Sequence, residues 1–201
     1  LPNDTPGIHQ LTFISSFWAL IAVHLFGCLG HSVPLAHIVS MAMFAGLPGI
    51  AAAGVLGTAA AVSLVSRFAM SLLAEAKGAR FTLVLVLLLQ TLPMLILLSA
   101  TDLLSFYSFA FLFGLGYGGE MVGFPIFNRQ YYGADAPLNT IYSYQMAGAM
   151  LGMAVGGWGA GALFDLTGAY TWGIMASMGG GFLGLSSALM LPSITPSRHQ
   201  Q

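Results

Sequence analysis

Six apolar stretches, each long enough to cross a bilayer, constrain this chain more than any other feature. A spanning helix takes roughly 20 mostly apolar residues. By that measure the spans fall at about 14–44, 49–73, 81–100, 103–127, 139–164 and 170–191. Short breaks part them: Gly46-Leu47-Pro48-Gly49, Glu75 to Arg80, Thr101-Asp102, Asn128 to Pro137, and Asp165 to Gly168. The first span exceeds the need and contains Pro34, so it is expected to be a kinked or tilted helix. The runs are too continuous for the dyad alternation of a membrane barrel. Charged residues make up only 5% of the chain, against about 25% in a typical soluble domain. The expected fold is therefore an all-α membrane protein of six transmembrane helices.

Composition also removes other classes of function. A net charge of −1 leaves no basic footprint for nucleic acid. Cys28 is the only cysteine and sits in an apolar run, so neither a disulfide framework nor a thiolate metal cluster is expected. The chain opens on Leu1 without a signal-peptide pattern, which reads as part of something longer. Residues 1–12 are then a cytoplasmic linker from a preceding half, 13–192 the bundle, and 193–201 a cytoplasmic tail.

Charge placement gives a direction. Loops after the second and fourth spans, with the tail, hold Lys77, Arg80, Arg129 and Arg198. Loops after the first, third and fifth hold no Lys or Arg, only Asp102 and Asp165. The positive-inside bias places both termini in the cytoplasm.

Two loops repeat a pattern at a spacing of 90 residues. Ser71-Leu-Leu-Ala-Glu75-Ala-Lys-Gly78 and Gly161-Ala-Leu-Phe-Asp165-Leu-Thr-Gly168 both read small-x-Leu-x-acid-x-x-Gly. Here "Leu" stands at positions 73 and 163. A three-helix unit that repeats must invert in the membrane, since three is odd. Two inverted three-helix repeats are a recurring transporter construction, with substrate held near the midplane.

At these residues the chain resembles the major facilitator superfamily, in its C-terminal six helices. The segment Ser71 to Arg80 is similar to the superfamily loop signature G-x-L-A-D-R-x-G-R-R. Gly78 and Arg80 match, while Ser71, Glu75 and Ala76 depart from it. Ser66-Arg67-Phe-Ala-Met-Ser71 resembles the eighth helix of monocarboxylate transporters, and residues 13 to 192 resemble bacterial monocarboxylate and oxalate–formate exchangers. The resemblance implies twelve helices in two rocking halves, of which this chain supplies helices 7 to 12. Its partners would be a small organic anion, a coupled H+ or counter-anion, the lipid bilayer and the N-terminal six-helix half. The place would be the cell membrane, as in a bacterial inner membrane.

Single polar residues within the spans carry the chemistry. Arg67 lies seven residues before the end of the second span, and such a cation faces a cavity, a partner or the interface. Its planar fork suits a carboxylate, and the resemblance gives it the role of substrate anchor. The oxalate exchangers place a lysine where this chain has Gln145, which points toward a monocarboxylate and makes Gln145 a substrate-binding candidate. Tyr142 and Tyr144 are either cavity donors or interface anchors.

Glu120 is an intramembrane carboxylate, either an ion-pair partner for Arg67 or a proton carrier. The proton-coupling Asp that monocarboxylate transporters carry one turn before the arginine is Ser63 here. His24 and His31 share a helix face at i, i+7, and His37 falls off it. They are proton-coupling candidates or hydrogen-bonding members of a polar wall. No acid stands near them in sequence, so no metal site is expected, and no cofactor. The run Gly114-x-Gly-x-Gly-Gly119 lies inside an apolar helix and is not a dinucleotide loop. Gly148, Gly152, Gly156 and Gly161 make a smooth packing face.

The expected function is secondary active transport of a small organic anion, a monocarboxylate, by alternating access. The rival readings are an exporter or facilitator of a drug or sugar with Arg67 structural, an intramembrane enzyme, and a channel. The sequence shows no nucleophile–base pair for the enzyme and no paired Asn-Pro half-helices for the channel.

Overall fold

The computed structural model describes residues 15–193. The expected linker at 1–12 lies outside the described residues, as does the tail from 194 onward with Arg198. The described chain is all-helical: α1 Ser15–Phe44, α2 Gly49–Lys77, α3 Ala79–Thr91, α4 Met94–Leu97, α5 Leu103–Tyr132, α6 Leu138–Thr167 and α7 Thr171–Leu189. α3 and the single turn α4 form one rod, interrupted at Leu92-Pro93. Proline supplies no amide hydrogen to the helix and its ring crowds the preceding turn. The expected span at 81–100 is thus a broken helix.

Five of the six rods are long and apolar enough to cross a membrane. The sixth expected span, α7, has 19 residues and falls outside that set of five. Gly173, the run Gly179-Gly-Gly181, Gly184 and three serines dilute its apolar character. α5 extends to Tyr132, beyond the expected end at 127, because a helix need not stop where its apolar stretch does.

α2 packs most extensively against α5, and α6 against α1. α7 then packs on α1, α3 on α5, and α3 on α7. α1 and α5 are central, with 56% of their apolar windows buried, against 28% for α2 and α6. Glycine allows the two main pairings. A Cβ at Gly118 would strike the Ser63 carbonyl of α2, and one at Gly152 the Leu25 carbonyl of α1. Small residues at such points let helices approach closely where lipid offers no hydrophobic driving force.

One end of the bundle gathers Lys77, Arg80 and Arg129. There Arg80 donates to Ser193 Oγ at 2.8 Å and to the Leu189 carbonyl at 2.9 Å. Gln130 clamps the α2–α3 turn, accepting from Ala79 N at 2.8 Å and donating to the Ala74 carbonyl at 2.9 Å. Gly78 makes that turn at φ 87° and Gly168 makes the α6–α7 turn at φ 69°, backbone conformations that glycine adopts at little cost. At the other end Phe164 stacks on Tyr170 and Phe44 meets both rings edge-on, and Asp102 caps α5 by accepting from Ser105 N at 2.9 Å.

Candidate functional site

The polar centre of the bundle lies between α1, α3 and α5. His31 and Glu120 are each 1% exposed. His31 Nδ1 lies 3.1 Å from Glu120 Oε2 and 3.1 Å from Gln90 Oε1. Both neighbours are acceptors, so Nδ1 carries the hydrogen and shares it between them. Gln90 Nε2 donates to Glu120 Oε2 at 2.7 Å. The triangle leaves two atoms without partners, His31 Nε2 and Glu120 Oε1. Oε1 faces Gly27 of α1, where any Cβ would collide with it. Gly27 thus admits the carboxylate to the helix surface.

Cys28, His31 and Glu120 offer donor atoms within 4.8 Å of one another. A metal taken at Nδ1 would break both hydrogen bonds of that atom. The arrangement is a hydrogen-bonded histidine–carboxylate pair with a neighbouring thiol. A cavity of about 10 Å³ adjoins His31, with Gln90, Thr91 and Ser177 on its wall; that is on the order of one water.

His24 lies one face-repeat below His31, as the sequence spacing expects. It stacks on Phe124 with centroids 3.8 Å apart, and its Nδ1 has no partner. Tyr142, half-buried at the start of α6, faces His24 across 6.3 Å. His37 leaves this face and reaches the Gly157 carbonyl at 2.8 Å.

Arg67 does not reach Glu120. It sits half-buried on α2, its Nε unpartnered, and it makes no ion pair among the described residues. Of the two roles expected for Glu120, pairing with Arg67 is not seen among the described residues, and Glu120 meets His31 instead. Tyr117 stands between the two places: its ring meets His31 edge-on at 5.1 Å, and its hydroxyl feels the charges of both Arg67 and Glu120. Ser63, one turn before Arg67, is buried and donates to the Ala60 carbonyl at 2.8 Å.

Gln145 is fully buried and exchanges both amide bonds with Asn128, at 2.9 and 2.7 Å. Its polar atoms join α6 to α5 and do not face a cavity. Tyr144 is exposed and rests on Phe17 at 5.8 Å. Of the loop-motif residues, Ser71 donates to the Arg67 carbonyl at 2.8 Å, Glu75 and Asp165 are exposed, and Arg80 holds the end of α7.

Sequence reading missed Gln90, Tyr117 and Cys28 as members of this centre. Gln90 was open to discovery by the argument that picked Glu120, since an amide inside a membrane helix needs a partner. Comparison with models of known families finds no match, and comparison with curated proteins finds none either.

Proposed function

We propose that the chain forms part of a secondary transporter for a small organic anion, a monocarboxylate, with Arg67 as the anchor. One observation carries this reading: a guanidinium inside a membrane helix, half-buried and without an acidic partner among the described residues. An unpaired cation there is costly unless a cavity or an anion meets it. The structural rival, in which Arg67 neutralises Glu120, loses its basis because Glu120 is already held by His31 and Gln90.

The helix pattern supports a two-repeat construction like that of the major facilitator half. Shifted by 90 residues, Ser15–Phe44 falls on 105–134 beside Leu103–Tyr132, and Gly49–Lys77 on 139–167 beside Leu138–Thr167. Ala79–Leu97 falls on 169–187 beside Thr171–Leu189. The principal packing pairs, α2 with α5, α1 with α6, α1 with α7 and α3 with α5, map onto one another when α1, α2 and the α3–α4 rod are exchanged with α5, α6 and α7. The gathering of Lys77, Arg80 and Arg129 at one end supports a cytoplasmic position for that end. The setting is the cell membrane, and no covalent chemistry is needed.

The test is uptake of labelled lactate, pyruvate and oxalate by the full-length protein, compared with Arg67→Lys. Losing a forked charge-assisted contact costs about 1.5–3 kcal/mol, or roughly ten- to a hundredfold in half-saturating concentration. Undiminished carboxylate uptake in the variant would sink the anchor.

A further inference from the structure

We propose that Cys28, His31 and Glu120 form a structural site for a divalent metal ion of the zinc type, completed from α3 by Gln90. The inference goes beyond the transport reading and does not depend on it. The sequence expectation of no metal site looked for an acid close to the histidines along the chain. The fold supplies one from 89 positions away.

Three donor chemistries converge here. A sulfur, a nitrogen and an oxygen from Cys28, His31 and Glu120 lie within 4.8 Å of one another, and all three residues are buried. Two acceptors, Glu120 Oε2 and Gln90 Oε1, each stand 3.1 Å from the same nitrogen, His31 Nδ1. A single hydrogen is divided between them, where a cation would bond to all three atoms at once. Tetrahedral zinc, with bonds of about 2.0 to 2.3 Å, holds its ligand atoms roughly 3.3 to 3.6 Å apart. Both nitrogen–oxygen pairs are already close to that spacing, and the thiol has about 1 Å at most to close. Glu120 Oε1 is unpartnered and faces Gly27, the residue before Cys28. It brings a free lone pair to the turn of α1 that carries the thiol.

The protons balance. Metal binding breaks the S–H bond of Cys28 and the two hydrogen bonds of Nδ1, and forms metal bonds to sulfur, nitrogen and carboxylate oxygen. The imidazole hydrogen passes from Nδ1 to Nε2, which has no partner as things stand. His31 and Thr91 line one cavity, and Thr91 Oγ1 is likewise unpartnered. Gln90 Nε2 keeps its bond to Glu120 Oε2. The thiol proton leaves to water, one for each ion bound, and no electrons move.

Charge selects the ion. Thiolate and carboxylate together carry −2, while the imidazole and the amide are neutral. A divalent ion brings the site to zero, and a monovalent one leaves −1 in the membrane interior, which is costly. Sulfur with imidazole favours zinc over magnesium or calcium. Four protein donors leave no open position, as in structural rather than catalytic zinc sites. The ion would tie α1, α3 and α5 together at the centre of the bundle.

The test supplies cobalt in place of zinc in the growth medium, so that the ion is present while the bundle assembles. The full-length protein is then purified in detergent without chelator. Retained cobalt should show the visible bands of a tetrahedral ion and a thiolate-to-cobalt band in the near ultraviolet, and Cys28→Ser should lose the latter. Glu120→Gln keeps the thiol but removes a ligand. It should weaken cobalt retention against a competing chelator at least tenfold, since losing even a ligand's hydrogen-bond partner costs ten- to a hundredfold. A wild type without the near-ultraviolet band, or a band that persists in Cys28→Ser, overturns the site. Should the variants not assemble, X-ray absorption at the cobalt edge of the wild type decides. A shell with one sulfur and an imidazole nitrogen upholds the site; no cobalt, or a sulfur-free shell that marks an adventitious ion only, overturns it. Either result leaves the transport reading to its own test.

Discussion

Arg67 and Glu120 both carry formal charge inside membrane helices, and they meet opposite fates. Glu120 has three neighbours contributing hydrogen bonds or charge, whereas Arg67 has a buried Nε without a partner. The difference was half legible beforehand. Any ionisable residue in a spanning helix is conspicuous, so both were found, and the i, i+7 spacing of His24 and His31 put those two on one face. Which residue pairs with which depends on helix crossing, and a sequence does not carry that. Glu120 therefore went to a histidine 89 positions away. The same blindness affected Gln145, whose partner Asn128 lies in what reads as a loop but is the last turn but one of α5. That amide pair has a testable weight. Gln145→Leu leaves Asn128 buried and unsatisfied, at about 1–3 kcal/mol. Its melting midpoint in detergent should drop, and the double change with Asn128→Leu should recover much of the loss. No drop in the single variant would mean that the pair contributes nothing.

Among the elements, α1 with α6 and α2 with α5 depend on bare backbone contact. Gly152→Ala must push its Cβ into the Leu25 carbonyl, and overpacking of this kind costs about 1–3 kcal/mol. Gly159 is seven residues further along the same helix and would meet nothing within 4 Å. Gly159→Ala should be neutral or stabilising, so the two midpoints together separate contact from helix propensity. Equal midpoints would contradict close packing at Gly152. The start of α5 is governed by charge. Asp102 is exposed, and its hydrogen bonds from Ser105 hold its carboxyl below the ordinary carboxylate value of 3.8. A depressed folded value means the cap stabilises α5 above the unfolded value, and the gain disappears as pH falls through the lower, folded one. Protection of the Ser105 amide from exchange, relative to its intrinsic rate at each pH, should fall across that acidic window, and Asp102→Ala should abolish the pH response. The helices themselves were legible because apolar length is a local property. The break at Pro93 was passed over, since an unbroken apolar run hid a residue whose effect is on the backbone.

For the molecule as a whole, orientation is the accessible quantity. The single cysteine is buried, so the chain offers a quiet background for thiol labelling. Lys77→Cys and Asp165→Cys should react with an impermeant reagent from opposite faces of sealed vesicles, Lys77→Cys from the cytoplasmic one. Labelling of both from one face would undo the inverted arrangement. The crossed pairing of helices also bears on how the chain is made. The principal partner of α1 is α6, and that of α2 is α5, so the first three helices leave the ribosome before their principal partners exist. At about 5–20 residues per second, His31 waits on the order of 5 to 20 s for Glu120. Through that interval a polar ring must be sheltered by the insertion machinery or solvated at the bilayer edge. Slowing translation between α3 and α5 should therefore lower the yield of assembled protein more than an equal delay after α6.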